Sequence, residues 1–298
     1  MSRFIFFIIL LLFVQQTLLS SDSLSVFKKR KTVLVSSHFA ISSTSLVYLN
    51  QIWYKPYQTS KFHLFNDNAE WLQVDKFGHV YSTYQSSRLL LESMEWAGYK
   101  TKQQLLVASL TGIGYMTTIE MMDGFSSGWG FSWGDMTANS FGAGLLLSQK
   151  MVWNQQRIQL KFSFQSSQYA SYNPKLLGQT FLNQILKDYN GQIYWLSINP
   201  SSFMKNKCFI PPWLCVAFGY GANGMIGARN NDIVKSQEAL NSRDFHRYRQ
   251  GYLSLDIDLT KIKTKSKLLH SIFICLNAVK VPFPNLELSN RKIKFNYY

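Results

Sequence analysis

Cysteine, acidic side chains and long apolar runs are all scarce in this chain of 298 residues, and each scarcity closes off a class of protein. The three cysteines, Cys208, Cys215 and Cys275, cannot all pair internally, and the six residues between the first two are not a metal-ligand spacing. A disulfide framework is excluded, with a single disulfide and three buried thiols left as alternatives. No G-x-S-x-G occurs, no Cys–His pair is spaced for nucleophilic catalysis, and "GYGANGMIGA" lacks the Lys-Ser/Thr ending of a phosphate loop. Nucleophilic hydrolase chemistry is not supported. The longest apolar run near the start, Phe4 to Val14, is too short for a membrane span of about 20 residues.

Acids number 16 against 31 Lys and Arg, a formal charge of +15, with hydrophobic residues at 46% and aromatics at 15%. Such apolar content excludes a disordered chain, and the length suits one large domain or two small ones. The basic excess is concentrated after residue 150, where 19 basic side chains face 7 acidic ones. No Arg/Lys-rich helix or RNA-binding signature accompanies it, so nucleic acid is not an expected partner. An anionic membrane surface or envelope lipid is. Protein partners and cofactors stay unassigned.

The opening "MSRFIFFIILLLFVQQTLLSSDS" has the layout of a secretory signal peptide over residues 1–21: Arg3, an apolar core, then small polar residues. The alternative is an uncleaved anchor helix. No cysteine lies near the cut, so lipid cannot be attached there. The run Lys28-Lys29-Arg30-Lys31 is expected in a basic linker over residues 22–35.

From Ser36 to about residue 154 the periodicity is helical. "SSHFAISSTSLVYLNQIWY" ends before Lys55-Pro56; "NAEWLQVDKFGHVYSTYQSSRLLLESMEWAGY" has Asn68 as a cap and Gly98 as a stop. "KQQLLVASLTGIGYMTTIEMMDG" and "WGDMTANSFGAGLLLSQKMVWN" follow, either membrane-inserted or buried in a four-helix cluster. From residue 155 to 298 the period shortens towards two. Five segments read as strands, the last being "LELSNRKIKFNYY", with helices at "NPKLLGQTFLNQILKDYNG" and "SKLLHSIFICLNAVK". The fold class is α+β: an N-terminal bundle of about four helices, then a mainly antiparallel β-rich module with helical insertions. About five strands cannot close a membrane barrel of eight or more, so a sheet in water or resting on a membrane is expected.

The chemistry lies in the helical half. Asp75 and His79 stand four apart on one helix face, with Lys76 beside them; Glu120 and Asp123 close the next helix; Asp135 and Asn139 open the fourth. Gly142 and Gly144 lack side chains, so another helix can approach closely there. If the helices pack together, His79, Glu120, Asp123 and Asp135 could ligate a divalent metal. The same groups could run acid–base chemistry if burial separates their pKa values. The plainer reading makes Asp135 a helix cap, Asp75, Lys76 and His79 a solvated face, and Glu120 with Asp123 the end of a helix before Gly124. Burying an unpaired charge in helices this apolar is expensive, which favours pairing among these groups or with a ligand. Trp129 and Trp133 would shield the cluster or sit at a membrane interface. Glu92 and Glu95 read as solvated, and His38, His63, His246 and His270 lack ligand spacing.

"DKFGH", followed by E-x-x-D-G-x-S-x-x-W-G-x-S-x-x-D-x-x-x-N-x-x-G over residues 120–142, resembles the YfiM-type family of predicted periplasmic or outer-membrane lipoproteins, a family of unknown function. "KDYNGQIYWLS" and "PPWLCVAFGYGANGM" are similar to its longer members, so the resemblance runs over residues 36–298. A more distant likeness to VanZ-like membrane proteins rests on the D-K-x-x-H start. The resemblance implies the envelope of a Gram-negative bacterium and supplies no reaction. Three functions stay open: a structural or binding module, an enzyme acting on an envelope lipid or glycan, and a signal-anchored inner-membrane protein.

Overall fold

In a computed structural model of the chain, residues 24–99, 103–204, 209–231 and 245–297 are described. The expected signal peptide and Cys208 lie outside them. Long helices come first: α1 (Leu24–Leu49), α2 (Val74–Trp96), α3 (Gln103–Gly124) and α4 (Trp133–Trp153). Then follow β1 (Ile158–Phe164), α5 (Pro174–Leu177), α6 (Phe181–Lys187), β2 (Gln192–Ile198), β3 (Leu214–Asn223), β4 (Tyr248–Ile257), α7 (Lys267–Leu276), β5 (Pro284–Ser289) and β6 (Lys292–Tyr297). The fold is α+β, as expected.

The chain divides into two compact units. The first takes residues up to Asn66, Ser82–Asn154 and Lys263–Leu276; the second takes Asp67–Tyr81, Gln155–Ile262 and Asn277–Tyr298. In the first unit, α1 begins at Leu24, so the basic run is helix rather than linker. Aromatic rings explain why these cations tolerate the helix: Arg30 lies 5.5 Å from the Phe27 ring and 5.6 Å from Trp96, and Lys31 4.6 Å from Tyr99. Val35, Phe39 and Val47 on α1 stay exposed, Phe39 at 73%. Val26–Tyr54 and Gln103–Gly124 are long and apolar enough to cross a membrane by length and composition. Gly98 stops α2 with φ +86, the left-handed region glycine enters without penalty. Asn68 is not the cap. A short 3-10 turn, Glu70–Gln73, precedes α2, and the Asn68 carbonyl accepts from the Gln73 side chain at 2.7 Å.

The second unit is an antiparallel meander in the order β1-β2-β3-β4-β5-β6. It has six strands where five were expected, because "LELSNRKIKFNYY" is a hairpin. Asn290 and Arg291 both have positive φ, 49° and 59°, the backbone of a tight two-residue turn. The expected single helix over residues 173–191 is likewise two, α5 and α6. Gly178 at φ +100 breaks it, and the side chains of Asn173 and Thr180 cap the two starts. A core of Trp71, Val74, Ala170, Leu177, Ala222 and Met225 packs beside the sheet.

Register shows which side of the sheet is which. One row runs Leu160, Leu196, Phe218, Leu253, Leu286, Phe295, apolar in every strand. The adjacent rows on the other side hold Gln159, Ser197, Ala217, Ser254, Asn285, Asn296 and Lys161, Trp195, Gly219, Tyr252, Glu287, Lys294, turned inward up to β5 and open at the edge strand β6, where Lys294 is exposed. On β4 and β5 the inward residues are buried and the leucines exposed. This is the reverse of a sheet with one face in water.

Most of the inward polar groups bond to one another, although the buried side-chain amide of Asn285 has no hydrogen-bond partner among the described residues. Lys161 and Asp256 are fully buried and pair at 2.8 Å. Asp256 also accepts from Ser197 Oγ at 2.7 Å and from the Val281 N–H at 3.2 Å. Glu287 accepts from Gln250, Ser289 and Asn296. Gln159 donates to Asp258 at 2.8 Å and accepts from Asn277. Cys215, buried here, is a free thiol pushed up to about 11, chiefly by burial and then by the Asp258 charge; Cys275 is also free.

Lys280 lies over the Trp195 ring at 4.6 Å and donates to the Val281 carbonyl at 3.0 Å. Burial pulls its ammonium down to about 8, with Asp256 opposing the shift and Lys161 adding to it. Between that value and the ordinary 10.5, the folded chain has released a proton that the unfolded chain still holds. Stability therefore rises with pH across this window, and the charged form penalises the fold below it. Urea unfolding from pH 7 to 10.5 should show wild type gaining about 3 kcal/mol relative to Lys280→Met. Parallel curves for the two proteins would refute the assignment.

Candidate functional site

Glu120, Asp123, Asp135 and Asn139 belong to the first unit; Asp75, Lys76 and His79 belong to the second. In the first unit the cap of α4 is Ser132, not Asp135. Ser132 has extended backbone, and its hydroxyl accepts the Asp135 N–H at 3.2 Å. Asp135 thus sits in the first turn of the helix, buried. Glu120, at the end of α3 and 1% exposed, accepts the Ser132 N–H through Oε2 at 3.2 Å. Both carboxylates lie at the N-terminus of α4, where the helix dipole favours negative charge.

One turn further along α4, fully buried Asn139 accepts from Thr83 Oγ1 at 3.0 Å. The backbones of α2 and α3 come together at Gly112, where an added Cβ would stand 2.1 Å from Ser87 Oγ and 3.2 Å from the Thr83 carbonyl. Gly144, expected to serve such an approach, has nothing within 4 Å of its missing Cβ, while Gly142 is buried. Asp123 is half-buried and shares a side-chain hydrogen bond with Tyr54.

The glycine-rich loop after α3 is packed by aromatic rings from the segment after α1. Trp129 lies 5.8 Å from Trp53 and 5.5 Å from Tyr57, and a Cβ on Gly128 would collide with the Tyr57 ring at 2.5 Å. Bridges Thr59–Ser126 and Leu64–Phe131 tie the two segments. Trp133, by contrast, is exposed. At the far end of α2, Glu95 is exposed and meets Lys150 at 3.0 Å. Glu92 is half-buried rather than solvated, and burial raises its carboxyl above the usual range, with Arg88 partly offsetting.

In the second unit, Trp71, Leu72 and Gln73 all have positive φ, a left-handed turn unfavourable for side-chain-bearing residues. Anchors hold it. Trp71 is buried and donates its N–H to the Ala228 carbonyl at 2.8 Å, Tyr220 donates to the Leu72 carbonyl, and Arg249 donates to the Gln73 side chain at 2.6 Å. The turn delivers Asp75 and Lys76 to the start of α2. Lys76 Nζ pairs with Asp75 Oδ2 at 3.0 Å and Asp67 Oδ1 at 2.5 Å. His79 is half-buried one turn beyond Asp75, and Thr83 follows one turn beyond His79.

Sequence reasoning missed Asp67, Thr83 and Ser132. Ser132 was legible as the start of S-x-x-D, a capping pattern. Asp67 and Thr83 gave no signal, because their partners are distant in sequence or on another element.

All seven candidate residues fall in one stretch. Residues 63–149 match the model of a family described as predicted periplasmic lipoprotein (DUF2279). The match bears out the resemblance over this stretch, which is fewer than a third of the residues. The protein is an exported envelope protein of the periplasm or outer membrane. No curated protein and no solved structure matches the chain.

The Glu120 bond to α4 sets a testable outcome. Glu120→Ala removes the acceptor of a buried N–H and should lower stability by about 1–3 kcal/mol, and Glu120→Gln, which keeps an acceptor, by less. Thermal unfolding followed by circular dichroism checks this; equal losses, or none, would show that the bond does not hold the helix start.

Proposed function

We propose that the protein is a membrane-associated binding module of the envelope, with a carboxylate site on its helical unit that takes a divalent cation. The observation that carries the reading is the exposure of α1. A helix of 26 residues that leaves Val35, Phe39 and Val47 bare is poorly suited to water. In acyl chains the same surface is favourable. Buried Glu120 and Asp135 supply hard oxygen donors of the kind divalent cations take.

Asp123, half-buried at the end of α3 in the same unit, is the reserve oxygen donor.

A second reading, an enzyme on an envelope lipid or glycan, has one observation in its favour. Trp133 and Phe141 on α4 are exposed, so lipid could lie against the helix that carries Asp135. A bound metal or acid–base pair would then work at headgroup depth. Turnover of a lipid or glycan by purified protein, lost in Asp135→Asn, would favour it.

The test of the first reading has two arms. Full-length protein should float with phospholipid vesicles through a density gradient, and purified protein should hold about one divalent ion per chain by elemental analysis. Asp135→Asn and Glu120→Gln should each lose the metal while keeping helical circular dichroism. A soluble chain would defeat the membrane reading; metal content unchanged in both variants would defeat the site.

A further inference from the structure

The sheet has a surface that the helical reading does not use. Its outward side carries two mainly apolar rows. One, Leu160 to Phe295, crosses all six strands. Flanking it, Phe162, Tyr194 and Tyr220 continue to Gly251, Leu288 and Ile293. The first three of these are covered within the unit: Tyr81 packs on Phe162 and Tyr194, and Phe77 stacks on Tyr220 at 4.6 Å. Towards β6 the cover ends. Leu288 is 57% exposed, and Ile293, Phe295 and Tyr297 exceed 70%. A shallow groove of about 270 Å³ lies on this face, lined by Val216, Leu253, Leu255, Pro284, Leu286 and Phe295.

Water is a poor solvent for such a face, because the fold has placed Lys161, Asp256 and Glu287 inside and leucines outside. Polar-in, apolar-out alternation is what hydrocarbon selects in a sheet. Depth is limited by the edge. β6 is the last strand of the sheet, and an open row of N–H and C=O groups is expensive in the acyl layer. Strands of six or seven residues, as in β1, β2, β5 and β6, also fall short of the roughly 9–11 needed to cross. The edge therefore belongs at headgroup level. Its chemistry fits that depth: Arg291, Lys292 and Lys294 are all exposed there, and long basic side chains can reach phosphates while their stems lie on apolar surface. Lysines on an edge strand also disfavour pairing with a second copy of the chain.

We propose that the outward face of the sheet docks shallowly on an anionic lipid bilayer, with Leu288, Ile293 and Phe295 among the acyl chains and Arg291, Lys292 and Lys294 against headgroup phosphates. This adds a second membrane contact, and it stands or falls apart from the helices.

The test reads depth locally in the full chain. An environment-sensitive fluorescent amino acid replaces Leu288, Ile293 or, as a polar-face control, Lys292, in vesicles of phosphatidylethanolamine with phosphatidylglycerol carrying doxyl acyl chains. Quenching at 288 and 293 should be at least about twofold stronger than at 292. The triple variant R291E/K292E/K294E should lose most quenching at 293, as should vesicles without phosphatidylglycerol. Equal quenching at 292 and 293, or quenching indifferent to headgroup charge, overturns the docking. So does a blue shift at 293 that needs no vesicles and grows with protein concentration, since a second copy would then cover the face. A chain that floats with vesicles while Ile293 stays in water defeats this inference and leaves the helical reading standing.

Discussion

The pairing of Lys161 with Asp256 sets the character of the sheet. These residues stand on β1 and β4, with two strands between them, yet their charged atoms are 2.8 Å apart and wholly buried. Across a flat sheet the strands would lie about 14 Å from one another, beyond the reach of the two side chains. The meander must therefore curl until its first strand faces its fourth. The curl creates an enclosed side, and once an ion pair occupies it the neighbours must be polar too. Ser197, the Val281 N–H, Gln159, Asp258 and Asn277 complete that interior. A buried pair contributes little net stability beside an apolar substitute, but removing one partner is severe. What the pair fixes is which side is inside.

The apolar rows follow. Period two gives every strand two faces, so a polar enclosed side forces the leucines and aromatics outward. The helical unit shows a related separation, with Glu120 and Asp135 buried at the start of α4 and the apolar side chains of α1 left bare. Both units leave apolar side chains exposed, the feature on which the proposed membrane association rests.

Much of this was legible in sequence. Helical periodicity ended where the helices end, Gly98 stopped α2, and "RYRQGYLSLDIDL" alternated as β4 does. What could not be read was direction. Alternation reveals two faces and is silent on which is enclosed, and Lys161 looked like any lysine in a strand. The hairpin at Asn290-Arg291 was hidden because Arg is an uncommon residue at positive φ. The basic run at 28–31 looked like linker because its ring partners Trp96 and Tyr99 lie some 70 residues away. The candidate acids were found because they were scarce; their bonds were not, since Ser132 and Thr83 are ordinary residues until a fold places them.

A double-mutant cycle on the ion pair tests this most directly. Lys161→Met should destabilise the fold by about 3–5 kcal/mol in chemical unfolding, because Asp256 keeps its burial and loses its cation. Asp256→Leu alone should also be destabilising, and the double variant should recover most of the loss, leaving a coupling energy above about 2 kcal/mol. Single losses below about 1 kcal/mol that simply add in the double variant would mean that the two charges do not meet inside the sheet, and its polar interior would have to be abandoned.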